Sequence, residues 1–240
     1  MKIAILTDVH GNLPALQAAL NAIRKEGCDT IFHTGDSIGI GPYPAECLEL
    51  ILNTPRLFPV MGNHDAWFAY GLPDPQPSWM SDGEVIHQQW VHSCLDSSLR
   101  TVVGEWPYLI QEVLEDIRVS FLHYGLNESG RNFAKFHQKP EPADLDEMYN
   151  GLDSDLVFYG HHHSNSDMVS KARYVNPGSL GCHTDPVARF AMLVCRASRY
   201  ELEVRSISYD DNALFREFEK RKVPEREFIV RAFFGGRFLL

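Results

Sequence analysis

The sequence predicts an α/β (α+β) fold in which two β-sheets pack in a single domain, residues 1–240, with helices outside. Three observations predict it. Residues 1–60 alternate strand and helix signals, which argues for a parallel sheet with right-handed crossovers. The second half strings short apolar runs together through tight turns. At 240 residues, 44% hydrophobic and 22% charged, the chain is long and apolar enough to bury a sizeable core.

"KIAILT" is a continuous apolar run, the pattern of a strand covered on both faces. After the turn "DVHGN", Leu13, Leu16, Ala19, Leu20 and Ile23 recur at helical spacing up to Gly27, a C-terminal stop. "DTIFHT" reads as a second strand, "PAECLELILN" as a second helix and "RLFPV" as a third strand. Residues 66–105 read as mostly helical, interrupted by the Pro-rich "LPDPQPS". "YLIQEVL" and "IRVSFLH" flank the turn "ED" as an antiparallel hairpin. "SDLVFYG", "SDMVS", "ARYVN", "RFAMLVC" and "YELEVRSIS" follow as strands, so the two halves are expected to form the two sheets. "NALFREFEKRKV" and "EREFIVRAFF" read as C-terminal helices broken near Pro224, and the apolar tail "FIVRAFFGGRFLL" as a helix packed on the sandwich or a contact in a homo-oligomer.

The formal net charge of −10 argues against a general nucleic-acid surface. It also means that an anionic substrate needs a local concentration of positive charge, which metal ions supply. The five cysteines form no C-x-x-C pair and read as reduced thiols of a cytoplasmic protein. The N-terminal apolar stretch reaches Asp8 before a signal-peptide core is complete, and no apolar run approaches the ~18 residues of a membrane span.

Five short polar motifs sit directly after expected strands: Asp8-x-His10, Gly35-Asp36, Gly62-Asn63-His64-Asp65, His123, and Gly160-His161-His162-His163. Loops beyond the carboxyl ends of strands are where open α/β sheets bind ligands. Asp, His and Asn are oxygen and nitrogen donors suited to Mn²⁺, Fe, Zn²⁺ or Ni²⁺, with no thiolate among them. The i,i+2 spacing of Asp8 and His10, and of His161 and His163, puts each pair on one side of an extended backbone. Gly35 and Gly62 permit tight turns and close backbone approach. Taken singly, these motifs have bland readings, such as a turn, a helix cap at Asn63 or a buried histidine. None of those readings explains why every one of these strands ends in a donor.

The ordered set D-x-H, G-D, G-N-H-D, H and G-H-x-H resembles the calcineurin-like metallophosphoesterases, and "NPGSL" at Asn176–Leu180 resembles their small bacterial and archaeal phosphodiesterase-like branch. The resemblance implies a four-layer sandwich, two mixed sheets face to face with helices outside. It implies two divalent metal ions, Mn²⁺ foremost, with Fe, Zn²⁺ or Ni²⁺ as alternatives, bridged by Asp36. One ion would be held also by Asp8, His10 and His163, the other by Asn63, His123 and His161. The activity implied is hydrolysis of a small phosphorylated substrate by in-line attack of a metal-bound hydroxide, a phosphodiester first. His64 would stabilise charge or protonate the leaving group. Asp65 would either orient His64 or cap the next helix. Asn12, His183 and Arg189 are the expected substrate contacts.

The chain departs from the family pattern in places. "GDSIGIGPYP" lacks the Arg that other branches carry after Gly-Asp, Tyr124 stands where the fourth motif has Gly, and "GCHTDPVAR" replaces a Gly-x-Pro-Arg stretch. Tyr124 is expected to shift the loop "LNESGRN" over the site. The alternatives are a dinucleoside polyphosphate or nucleotide pyrophosphohydrolase or a phosphomonoesterase on the same metals, and a non-catalytic interaction module on this fold.

Overall fold

The computed structural model describes residues 1–237; the last three residues of the apolar tail lie outside it. The strands are β1 (Lys2–Leu6), β2 (Thr30–His33), β3 (Leu57–Pro59), β4 (Leu109–Leu114), β5 (Ile117–Leu122), β6 (Leu156–Phe158), β7 (Ser166–Val169), β8 (Arg173–Asn176), β9 (Val187–Arg196) and β10 (Arg199–Ser208). The helices are α1 (Leu13–Lys25), α2 (Pro44–Asn53), α3 (Asn63–Tyr70), α4 (Asp82–Ser93), α5 (Leu99–Gly104), α6 (Pro142–Met148), α7 (Asn212–Lys220) and α8 (Arg226–Phe234). One sheet has the order β10-β9-β1-β2-β3, and the other β4-β5-β6-β8-β7.

The layers follow from which faces are apolar. In β1, Ile3 and Ile5 point into the space between the sheets, while Ala4 and Leu6 point to the helical side with Leu16, Leu20 and Leu48. That double cover is why "KIAIL" shows no alternation. Between the sheets, Phe32 stacks on Phe121 with centroids 3.9 Å apart, and Phe121 on Phe158 at 5.6 Å. On the outer face of the second sheet, Leu145 and Tyr149 pack on Leu122, Val157 and Tyr174, closing the fourth layer.

Two expectations are corrected. The two halves of the chain do not each make one sheet, because β9 and β10 return to the first sheet, with β9 pairing antiparallel to β1 (Lys2 opposite Val194). "RFAMLVC" is apolar at every position but its first, and only a central slot beside β1 covers both of its faces. Helix α6 was not foreseen; it is seven residues long, opened by Pro142 and closed at its start by Asp144 accepting from the Glu141 amide. So short a segment carries little periodic signal.

The C-terminal helices bury Leu214, Phe215, Phe218, Val230 and Phe234 against Ile40 and Cys182, beside the loops that carry the site. Their turn is tied to α4 by His87, whose Nδ1 donates to the Pro224 carbonyl. All five cysteines are free, and no helix among the described residues is long and apolar enough to cross a membrane.

Burial pushes His87 down to about 4, outweighing the bond to Pro224, and among the described residues its Nε2 has no hydrogen-bond partner. The unfolded ring takes a proton near pH 6.5, well before the folded one. His87 therefore contributes stability that is complete above that pH and is lost as pH falls toward 4, on the order of 1 kcal/mol per pH unit. Denaturant midpoints of the metal-free protein should fall between pH 6.5 and 4.5, and His87→Gln should fall less steeply; equal slopes would contradict this account.

Candidate metal centre

The donors stand where parallel strands end: Asp8 and His10 after β1, Asp36 after β2, Asn63 and His64 after β3, His123 after β5, and His161 and His163 after β6. Face-to-face packing brings these ends together from both sheets. The backbone that presents them is not extended. Asp8, His10, Asp36, His161 and His163 all have positive φ, between 47° and 69°. The i,i+2 pairs thus converge through left-handed turns, a correction to the extended-strand expectation, at roughly 1–2 kcal/mol per residue.

Backbone bonds between loops hold those turns. The Asp8 amide donates to Gly35 O at 3.0 Å and the His10 amide to Asp36 O at 3.0 Å. The "NPGSL" stretch staples the two sheets: Asn176 Nδ2 donates to Gly160 O at 2.8 Å, Ser179 Oγ to Asp8 O at 2.8 Å, and the Leu180 amide to Thr7 O at 2.9 Å. Gly62 lies against Asp36 so closely that a Cβ there would overlap the Asp36 amide and carboxylate.

Two groups of donor atoms result. In one, His10 Nε2 and His163 Nε2 are 2.8 Å apart, each 3.7 Å from Asp8 Oδ1. In the other, His123 Nε2 lies 3.1 Å from Asn63 Oδ1 and 3.2 Å from His161 Nδ1. Asp36 Oδ2 stands at the seam, 3.7 Å from His10 Nε2 and 3.2 Å from His123 Nε2. Behind the rings, His10 Nδ1 bonds Ile38 O and His123 Nδ1 bonds Thr34 O. Those Nδ1–H donors fix the tautomer, so each Nε2 presents a lone pair to other lone pairs. Acceptors gathered this way fit a cation between them. Without one a proton takes the place: burial works against a charge on His123, yet Asp36, to which it is hydrogen-bonded, lifts it to about 9. Burial also opposes ionisation of Asp36, but His123, His64 and His10 hold it well below the usual carboxylate range.

His64 stands beside His10 and Asp36, with one donor atom of each within 4.8 Å of the others. Its Nε2 lies 3.9 Å from Asp36 Oδ2, and its Nδ1 is held at 2.8 Å by the amide of Gln88 on α4. Gln88 was not foreseen; it lies twenty-four residues downstream, and nothing in its local sequence marks it. Asp65 is corrected as a catalytic partner of His64. Its carboxylate accepts from the amides of Asp36 (2.8 Å), Ser37 (3.1 Å) and Gly62 (3.2 Å), fixing the Asp36 turn and the start of α3. Burial and the neighbouring Asp36 push it up to about 7.

Of the expected substrate contacts, Asn12 and His183 are engaged within the fold, while Arg189 lies near the backbone of His163. Asn12 is a helix cap, fully buried, its Oδ1 accepting from Ala15 N and its Nδ2 donating to Gly181 O and Tyr209 Oη. His183 closes its own turn, accepting from the Asp185 amide at 2.9 Å. Arg189 sits on β9 with its chain against Gly178, and among the described residues no hydrogen bond or ion pair joins it to a donor. His162 bonds the His137 carbonyl. Tyr124 is buried behind His161 at 4.8 Å, its hydroxyl accepting from the His137 amide. The loop after it is tied by a Leu126–Phe133 bridge and sets Phe133 against His123 and Phe136 against His161. Cys182, absent from the expected donors, brings its Sγ within 4.8 Å of the His10 and His163 nitrogens, and burial keeps it a neutral thiol.

A donor-rich centre at the strand ends of a two-sheet sandwich is a candidate metal site, the arrangement expected of a metal-dependent phosphoric ester hydrolase. The chain belongs to the calcineurin-like phosphoesterase superfamily, whose domain model matches residues 1–198. It is 27% identical to the uncharacterized protein MJ0912 of Methanocaldococcus jannaschii, over 93% of this chain and 94% of that one. Its fold is similar to the hypothetical protein PH1004 of Pyrococcus horikoshii OT3 (TM-score 0.80, 20% identity, 98% of each chain). It is also similar to a metallophosphoesterase of Sphaerobacter thermophilus (TM-score 0.71, 23% identity, 96% of this chain and 98% of that one).

Because Asp36 Oδ2 faces both donor groups, Asp36→Asn should lower metal content at both positions when the purified protein is titrated with Mn²⁺. Loss of only one ion per chain would show that Asp36 serves a single ion.

Proposed function

We propose that this protein is a dinuclear-metal-dependent phosphodiesterase that acts on a small phosphorylated substrate in the cytoplasm, with Mn²⁺ as its working ion. The position of Asp36 carries the proposal: one carboxylate oxygen lies within 3.7 Å of ring nitrogens from two separate donor groups. Asp8, His10 and His163 would complete the ligands of one ion, and Asn63, His123 and His161 those of the other. When bound, such a pair supplies Lewis acidity to the phosphoryl oxygens and lowers the pKa of the attacking water. The five free thiols are in keeping with a reducing compartment.

The residues around the ligands set up the rest. Gln88 and Trp67 hold the His64 ring, with Trp67 at 4.8 Å, so that Nε2 faces the centre and can stabilise charge or deliver a proton to the leaving oxygen. Asp65 keeps the Asp36 loop from moving when charge changes at the centre. Two divalent ions against Asp8 and Asp36 leave a modest positive excess. Among the described residues no Lys or Arg is hydrogen-bonded or ion-paired to the donor side chains, so that excess is the local positive charge that an anionic phosphate ester needs in a chain of net charge −10.

With Mn²⁺ added, kcat/KM for bis(p-nitrophenyl) phosphate should exceed that for p-nitrophenyl phosphate, and a clear preference for the monoester would reject the diester assignment. His64→Ala should bind as much metal as the parent yet lose roughly 10²–10⁴ in kcat. Full turnover in that variant would remove His64 from the mechanism.

A further inference from the structure

Trp67 follows Asn63 by four residues and His64 by three, so it shares a face of α3 with both. The Trp67 ring stands 4.8 Å from His64. Trp79, from the Pro-rich segment before α4, stacks on Trp67 with centroids 6.2 Å apart and planes at 26°. Trp79 is 65% exposed. Among the described residues neither ring joins a hydrophobic cluster of the fold, whereas Trp90 and Trp106 do. On the other flank Phe136, 50% exposed, lies 5.1 Å from His161. Bare aromatic surface thus borders a centre built to hold phosphate.

We propose that the Trp67–Trp79 pair is a stacking platform for the base of a nucleotidyl phosphodiester, which makes small nucleotides the substrate class. This inference rests on the phosphodiesterase proposal above. A ligand complementary to both features carries a phosphate and a flat aromatic ring, and indole faces accept any base without demanding hydrogen bonds. The spacing selects a nucleotide over a simple aryl ester. His64 touches both the donors and the platform, its Nε2 3.9 Å from Asp36 Oδ2 and its ring 4.8 Å from Trp67. A ring bonded to phosphorus through one oxygen stops at His64, whereas a base held beyond a ribose reaches the indoles. Charge selects a small nucleotide over a polymer, because the chain carries a net −10, which repels a phosphate backbone.

The test compares adenylyl-adenosine, a diester with two bases, with glycerophosphocholine, a diester with no aromatic group, in the Mn²⁺-loaded protein. Trp79→Ala should raise KM for adenylyl-adenosine roughly tenfold, the order expected when one stacked base is lost, with kcat little changed. KM for glycerophosphocholine should move by less than about twofold in the same variant. Trp79→Phe, which keeps a ring, should recover most of the loss. AMP should quench indole emission of the parent more than that of Trp79→Ala. An equal rise in KM for both diesters, or no rise for either, overturns the platform. If neither diester is cleaved while AMP still quenches through Trp79, the phosphodiesterase proposal fails and the base site stands.

Discussion

The buried carboxylate of Asp36 is the charge around which the molecule is arranged. It is 2% exposed, and an ion so placed persists only if its surroundings compensate it. His10, His64 and His123 do so from the ends of three different strands, and Asp65 holds the Asp36 amide. Those strand ends belong to both sheets. They meet because the stacked rings of Phe32, Phe121 and Phe158 set how closely the sheets approach. Core packing and metal geometry are therefore one constraint, and loosening the aromatic layer would spread the donors apart.

The strain in the centre has a visible counterweight. Five donor residues occupy left-handed backbone that non-glycine residues rarely adopt. Each lies in a loop bonded to another loop, often across the two sheets, and Asn176, Ser179 and Leu180 supply three of those bonds. The "NPGSL" segment is therefore a staple, not a ligand. A centre that is rigid before any ligand arrives needs little reorganisation when charge develops on phosphorus.

Around this rigid centre the rim differs from side to side. The His64 side carries the two indoles, and the His161 side carries Phe136 on the loop pinned by Tyr124. The C-terminal helices close a third side, with Phe233 5.7 Å from His163.

Much of this was legible in the linear chain. Strand and helix order, the double cover of β1 and the placing of eight polar residues from Asp8 to His163 at strand ends follow from local pattern, because apolar periodicity and strand-end placement are local properties. What each polar residue does was not legible where it depends on a distant partner. Asp65 stands beside His64 in sequence but holds Asp36, and Gln88 holds His64 from another helix. Asn12 looked available to a substrate until its amide was met by Gly181 and Tyr209, more than 150 residues away. Pairing between distant strands was equally hidden, since β9 finds β1 only through burial on both faces. The chain by itself determined which groups are present at which strand ends; tertiary packing alone decided which atoms they face, because hydrogen bonds and metal geometry depend on distances between segments that no local pattern records.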